Sequence, residues 1–421
     1  MRFLHTADIH LDSPLRRLAV YDEAPVDELR QATRRAFENL IDLAVDTPVD
    51  FLLIAGDLYD GDWQDYNTGL YFVAQMRRLR EAGIPAYIVA GNHDAASKIT
   101  RVLRLPGNVH LFSAEKPETL RVPETDAAVH GQSFATPAVQ QDLSAAYPPP
   151  LPGCFNIGLL HTCAGGREGH APYAPCTLNG LLAKGYDYWA LGHVHRREAL
   201  HDDPPVMFPG NLQGRHARET GRKGCLQVDV EPDGTCTCQF QPLDVLCWET
   251  VRVNADDTGD GYETVDRFSD GLQRRLRRHP GLPLAVRVVV EGSGKAFEQL
   301  LSQPERWENE IRAAALDGGE GLVWVEKVVL QALAPPMEKT PPHLSDTAVG
   351  ELLGLLEELP DDAEGLERLA RDLRDLERKL PHELQEDPDR IPLDDPRHLS
   401  ELLNGIRPLL LQRLAGNGES P

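Results

Sequence analysis

The sequence predicts a mixed α/β fold: an α/β sandwich, then a small unit of helices on a short sheet, then a helical tail. Three observations carry this reading. Wholly apolar runs such as Phe51-Leu52-Leu53-Ile54-Ala55 read as strands covered on both faces. Between those runs apolar residues recur at helical spacing. The pattern then restarts twice, once behind an Asp- and Gly-rich stretch and once behind paired prolines. A length of 421 residues accommodates two or three domains of roughly 150 residues.

In order, Arg2 to Ala7 is a short strand. Leu29, Phe37, Leu40, Ile41 and Ala44 fall on one helical face. Phe51 to Ala55 is the second strand, and Leu70 to Leu79 a helix stopped by Gly83-Ile84-Pro85. Tyr87 to Ala90, Ile157 to Leu160 and Tyr186 to Leu191 are further strands. Segments 206–208, 224–231, 235–241 and 247–253 read as β hairpins, with Pro232-Asp233-Gly234 as one turn. Asn254 to Gly261 reads as a linker. Tyr262, Val265, Phe268, Leu272 and Leu276 then mark a helix. Leu282, Leu284, Val286, Val288 and Val290 alternate as a half-exposed strand. Residues 295–315 are expected as one helix and Leu322 to Leu330 as a strand. Pro335-Pro336 and Pro341-Pro342 bracket a second linker. Beyond it Leu366, Leu369, Leu373, Leu376 and Leu380 form a leucine seam two heptads long, short of a coiled coil.

The composition removes several function classes. No run approaches the ~18 apolar residues of a membrane span. The amino terminus meets Asp8 and Asp12 too early for a signal peptide, so a cytoplasmic protein without membrane contact is expected. The seven cysteines include no Cys-x-x-Cys pair, which argues against a zinc ribbon or disulfide framework. Cys236 and Cys238 are expected on one side of a strand. A net charge of −23 argues against a simple electrostatic nucleic-acid binder, although residues 341–421 alone carry 19 acidic against nine basic residues. Basic groups survive locally at Arg77-Arg78-Arg80, at Arg215-His216 with Arg218, and at Arg274-Arg275 with Arg277-Arg278-His279.

Each buried strand of the first unit ends in metal-type residues. The endings are Asp8-Ile9-His10, Gly56-Asp57-Leu58-Tyr59-Asp60, Gly91-Asn92-His93-Asp94, His161-Thr162 and Gly192-His193-Val194-His195. In open α/β sheets ligands bind beyond the carboxyl ends of the strands, so these segments share one rim. Carboxylates and imidazoles without cysteine suit manganese, iron or zinc. Two ions about 3.5–4 Å apart can clamp both oxygens of a phosphoryl transfer. Gly56, Gly91 and Gly192 precede the polar groups, where sharp turns are expected. Polar clusters at buried strand ends are costly without a ligand to satisfy them.

Together, Asp8-x-His10, Gly56-Asp57, Gly91-Asn92-His93-Asp94, His161 and Gly192-His193-x-His195 resemble the motif series of the calcineurin-like metallophosphoesterases. The opening Ala7-Asp8-Ile9-His10-Leu11-Asp12-Ser13-Pro14 is similar to the SbcD-type DNA repair exonucleases, in their YhaO-like branch. So is Phe208-Pro209-Gly210-Asn211-Leu212-Gln213-Gly214-Arg215, with Glu219-Thr220-Gly221 and Lys223-Gly224 behind it. The resemblance covers about residues 1–335. It implies a four-layer α/β/β/α nuclease sandwich over 1–253 and a small α+β capping domain, offered for DNA contacts, over 254–335. It leaves 336–421 as an acidic helical segment offered for docking a partner.

The same resemblance implies two divalent ions, manganese first. Asp8, His10, Asp57 and His195 would hold one; Asp57, Asn92, His161 and His193 would hold the other, with Asp57 bridging. A metal-bound hydroxide would attack phosphorus in line, and His93 would protonate the leaving oxygen. Asp94 is offered as a brace for the His93 ring. Arg215 and Arg218 are the substrate-facing candidates. Ile9 stands where many members have Trp, and Asn211 where Ser is common. The implied function is a metal-dependent DNA exonuclease in repair, working with an SbcC-like ATPase; homodimerisation stays open. The alternative is a metallophosphoesterase for a small phosphodiester, a nucleotide or a phosphoprotein, which the acidic charge favours.

Overall fold

The computed structural model describes residues 1–13, 31–60, 66–96, 104–165, 173–333, 348–379, 393, 395–400 and 402–403. The chain separates into two units, Met1–Glu249 with Leu282–Ala285 and Thr250–Gly281 with Val286–Pro421.

The first unit runs β1 (Arg2–Thr6), α1 (Ala32–Asp46), β2 (Phe51–Ala55), α2 (Tyr66–Glu81), β3 (Ala86–Val89), α3 (Asn92–Ala96), β4 (Val109–Leu111), β5 (Glu118–Arg121), β6 (Ala127–Gly131), β7 (Phe155–His161), α4 (Leu178–Leu182), β8 (Tyr188–Gly192), β9 (Glu198–Asp202), β10 (Pro205–Phe208), β11 (Gly224–Val230) and β12 (Cys236–Pro242). These strands build two six-stranded sheets, ordered β12-β11-β1-β2-β3-β4 and β5-β6-β7-β8-β10-β9. Strands β1 to β4 run parallel, as do β6, β7, β8 and β10. Their carboxyl ends therefore share an edge in each sheet.

Burial on both faces explains the continuous apolar runs. The alternate residues Leu4, Leu52, Ile54 and Ile88 pack outward against Phe37, Leu40 and Ile41 of α1 and Phe72 and Met76 of α2. Phe3, Phe51, Leu53 and Val89 point the other way, onto Val129, Ile157, Leu159 and Tyr188 of the second sheet. There Phe3 stacks on Phe51 at 4.8 Å between ring centroids and meets the edge of Tyr188 at 5.4 Å. The outer face of the second sheet is covered by Leu181 of α4 with Tyr147 and Tyr186, against Leu160, Trp189 and Leu191. The result is the expected α/β/β/α layering. Cys236 and Cys238 both pack against the inter-sheet core, on one side of β12 as expected.

Four strands of this unit, β4, β5, β6 and β9, were not legible in the sequence. Residues 206–208 do not form a hairpin with 224–231. Instead β10 lies between β8 and β9 in the second sheet, while β11 pairs with β12 and β1 in the first.

The chain continues with β13 (Cys247–Asn254), α5 (Gly261–Arg278), β14 (Leu284–Gly292), α6 (Lys295–Ser302), α7 (Pro304–Gly319), β15 (Val323–Ala332), α8 (Ala348–Glu358) and α9 (Ala363–Lys379). Strands β13, β14 and β15 form a separate three-stranded sheet, so 247–254 belongs to this sheet rather than to a hairpin of the first. The linker expected at 254–261 is ordered by side chains. Asp256 accepts the Ser293 and Gly294 N–H groups, and Asp260 accepts the Glu263 N–H to cap α5. The helix expected over 295–315 is broken at Gln303, whose φ of −141° leaves the helical region before Pro304 starts α7. Strand β14 is covered on both faces rather than half exposed: Ala285 and Val289 are buried, and Arg287 grips the buried Glu326 through two contacts of 2.8 Å.

In the tail, Leu366 and Ala370 of α9 pack with Leu399 and Leu403, beside Leu356, Leu359, Leu369 and Leu373. The leucine seam thus feeds a small helical core. It turns outward at Leu376, which is 51% exposed, and Leu380 lies outside the described residues. The proline-bracketed linker and Leu29 also lie outside them. Among the described residues no helix is long and apolar enough to cross a membrane.

Candidate metal centre

The strand ends converge as their sequence positions require. Asp8 and His10 follow β1, Asp57 follows β2, Asn92 and His93 open α3 after β3, His161 ends β7, and His193 follows β8. One ligand atom each from Asp8, His10 and His195 lies within 4.8 Å of the others, and the same holds for Asp57, His161 and His193. Asn92 joins the second group, its Oδ1 3.0 Å from His161 Nε2. Asp57 stands between the groups: its Oδ2 is 3.4 Å from His161 Nε2 and 3.9 Å from His10 Nε2. His10 and His195 face each other at 3.3 Å.

The backbone is bent to achieve this. Asp8, His10, Asp57 and His193 adopt φ of 51°, 45°, 53° and 102°, the left-handed region that non-glycine residues rarely occupy. Such strain persists where surrounding structure over-determines it, and it clusters at functional sites. The three glycines have different reasons. Gly56 turns with φ 93°, as expected. Gly91 and Gly192 are required by close approach instead. A Cβ on Gly91 would sit 2.3 Å from Asp57 Oδ1, and one on Gly192 would sit 1.8 Å from the Ala55 carbonyl oxygen. Gly192→Ala must therefore push β8 away from β2 at the site. We expect a cost of about 1–3 kcal/mol, as for other overpacked interiors, read as a lower urea midpoint together with weakened metal binding.

The electrostatics show groups buried against their preference. Burial pushes the Asp8 carboxyl above its ordinary range, against the pull of His195 and His161. Burial also opposes ionisation of Asp57, but His161 overrides it and holds that carboxyl well below the usual range, with His10 and His93 adding. Burial lowers His161 too, yet the Asp57 charge lifts it to about 9. Burial and the Arg215 charge push His10 down to about 3, against the pull of Asp60 and Asp57. Two carboxylates at 1% exposure, four inward imidazoles and a carboxamide oxygen form a nitrogen- and oxygen-donor set suited to divalent cations. The residues fit a dinuclear centre.

Around this set, His93 is the most open imidazole, with 37% of its side chain exposed against 0% for His10 and His161. Its backbone N–H, not its ring, donates to Asp57 Oδ1 at 3.0 Å. The carboxylate beside its Nδ1 is Asp60 at 3.5 Å. The expected brace, Asp94, is instead buried and accepts the N–H groups of Leu58, Tyr59 and Gly91 at 2.9–3.0 Å. It holds the two turns together, and burial plus the Asp57 charge raise its carboxyl to about 6. Arg215 folds onto the cluster with Nη1 3.5 Å from Asp60, whereas Arg218 is exposed. Sequence reasoning quoted Asp60 and Glu219 within motifs without assigning either a role. Asp60 lies three residues beyond Asp57 in the same turn, the one signal that could have found it. Glu219 meets His195 Nδ1 at 2.6 Å, a contact no spacing announces.

Residues 1–197 match the family model for calcineurin-like phosphoesterases, and residues 248–332 match that for the middle domain of metallophosphoesterase YhaO. The second match begins at β13, where the three-stranded sheet begins. Over 309 residues, 72% of this chain and 74% of the relative, the sequence is 35% identical to the Bacillus subtilis protein named uncharacterized metallophosphoesterase YhaO. It is 27% identical over 327 residues to the DNA double-strand break repair protein Mre11 of Methanopyrus kandleri, covering 71% of this chain and 67% of that one. The Mre11 of Aeropyrum pernix is 33% identical over 316 residues, 69% of this chain and 73% of the relative.

Proposed function

Because the chain belongs to the YhaO family of calcineurin-like metallophosphoesterases, hydrolases of phosphoesters, we propose that it is a metal-dependent DNA exonuclease of the repair class. The observation that carries this is the pair of donor groups on one rim, with Asp57 3.4 Å from His161 and 3.9 Å from His10. Support for DNA as substrate comes from the relatives named as double-strand break repair proteins.

In this reading Asp8, His10, Asp57 and His195 hold one divalent ion and Asp57, Asn92, His161 and His193 the other, manganese being the first choice for such donors. When bound, the pair supplies Lewis acidity and a nucleophile at neutral pH. The chain's own residues do the rest. His93 hands a proton to the departing sugar oxygen, and Asp60 keeps its ring aimed. Arg215, 14% exposed, takes a phosphate oxygen; a guanidinium suits that contact in geometry and charge. Arg218 and the exposed Arg274, Arg277 and Arg278 of α5 are offered to the DNA backbone. Their neighbour Arg275 is already committed to the Gly271 and Thr250 carbonyls.

Metal-titrated digestion of end-labelled linear duplex, run beside a chromogenic nitrophenyl diester, tests the proposal. Manganese-dependent shortening of the duplex from an end is expected. Turnover of the small diester with intact DNA would hand the site to the alternative, a small-phosphodiester, nucleotide or phosphoprotein esterase.

The proposed partner is an SbcC-like ATPase, docked through residues 336–421. Truncation after Ala334 should leave metal-dependent cleavage intact and weaken partner affinity at least about tenfold, or ~1.4 kcal/mol. A truncated chain that bound the ATPase as tightly as the full protein would remove the docking role.

A further inference from the structure

Between β10 and β11 the chain passes close to the metal centre, and one acidic side chain there is almost fully enclosed. Glu219 is 7% exposed, yet both of its oxygens are engaged. Oε1 lies 2.6 Å from His195 Nδ1, 3.4 Å from His216 Nε2 and 3.5 Å from Arg215 Nη2. Oε2 accepts the backbone N–H of Arg215 at 2.7 Å and the Nδ2 of Asn211 at 2.8 Å. Asn211 is also buried, and its amide makes a second bond to the Gln213 carbonyl at 2.8 Å. A hydroxyl in its place, with one proton to give, could not make both bonds.

We propose that Glu219 is a positioning residue that fixes the ring of His195 in one tautomer and Arg215 in one pose. A single buried carboxylate thereby ties the ion-binding edge of the site to its phosphate-facing edge. The inference rests on the reading of His195 as a metal ligand. Among the described residues, Glu219 at 2.6 Å and Arg215 Nη2 at 3.3 Å approach His195 Nδ1. The guanidinium can only donate, which would leave the proton on Nε2 and spoil that nitrogen as a ligand. The carboxylate can only accept, which puts the proton on Nδ1 and leaves the Nε2 lone pair facing Asp8 at 3.7 Å. The shorter contact selects the second arrangement. Carboxylates that hold a ligating imidazole in this way raise its basicity and orient it.

The test uses the full chain stripped with chelator and titrated with Mn2+ by calorimetry, with the imidazole tautomers read from ring-nitrogen shifts by NMR. Glu219→Gln is nearly isosteric. It should weaken Mn2+ binding at one of the two sites by about 10–100-fold and convert His195 from the Nδ1–H form to a mixture. Asn211→Ala, which leaves the carboxylate but removes one of its donors, should shift affinity in the same direction by less, and it serves if the first variant does not fold. Unchanged Mn2+ affinity with an unchanged His195 tautomer in a folded Glu219→Gln protein would overturn the proposal. A role confined to bracing the loop would lower the melting temperature and move neither readout. Because the titration contains no nucleic acid, a failure to cut DNA would count against the proposed substrate and leave this inference standing.

Discussion

Asp57→Asn should empty both proposed metal positions rather than one. Asp57 Oδ2 is within 3.4 Å of His161 and 3.9 Å of His10, residues of opposite donor groups, so no other side chain can replace what it gives to each. Asparagine is the informative substitution because residue 57 has φ 53°, which Asn adopts at less cost than Ala, so a folding defect is less entangled with the result. Elemental analysis of the purified variant should find less than one metal per chain, with hydrolysis of any phosphodiester at background. Two retained metals would show that Asp57 does not bridge.

His93→Ala should do the reverse, keeping the metals and losing the reaction. Residue 93 serves the centre through its main chain, whose N–H holds Asp57 Oδ1 at 3.0 Å, and that bond survives truncation of the ring. The ring is 37% exposed, with its Nδ1 3.5 Å from Asp60, and in the proposed reading it delivers a proton. The expected loss on DNA is about 10²–10⁴, the usual worth of a general acid. A nitrophenyl diester, whose leaving group needs no proton, should lose much less. Equal losses on both substrates would speak against proton donation, and a drop in metal content would move His93 into the ligand set.

How legible the molecule is in its sequence depends on what each residue has to satisfy. Strands buried on both faces declare themselves, so Phe51–Ala55 lies where its apolar run places it. The stretch Ala127–Gly131 is buried just as completely, but two alanines, a histidine and a glycine leave no β-forming run to read. Strand β4 is half covered along its whole length, and β5 alternates in burial but its Glu-Thr-Leu-Arg carries no apolar–polar alternation to read. The clustering of these carboxylates and imidazoles was readable because they end strands whose direction is known. Their supports were not: whether Asp60 or Asp94 meets the His93 ring depends on the turn geometry after β2 and β3. Gly192 was readable as necessary but not for its reason, since the carbonyl it must avoid belongs to Ala55, far away in the chain.

The origin of the donors has one more implication. Asp8, Asp57 and Asn92 stand on the edge of one sheet, His161 and His193 on the edge of the other. Each proposed ion would then take donors from both sheets, so its cage is gauged by what sets the gap between them, where Phe3 of β1 meets the edge of Tyr188 of β8 at 5.4 Å. These rings act as the jaws' fixed setting in a calliper. Chemistry at the rim is thereby held to tolerances set in an interior that no substrate reaches.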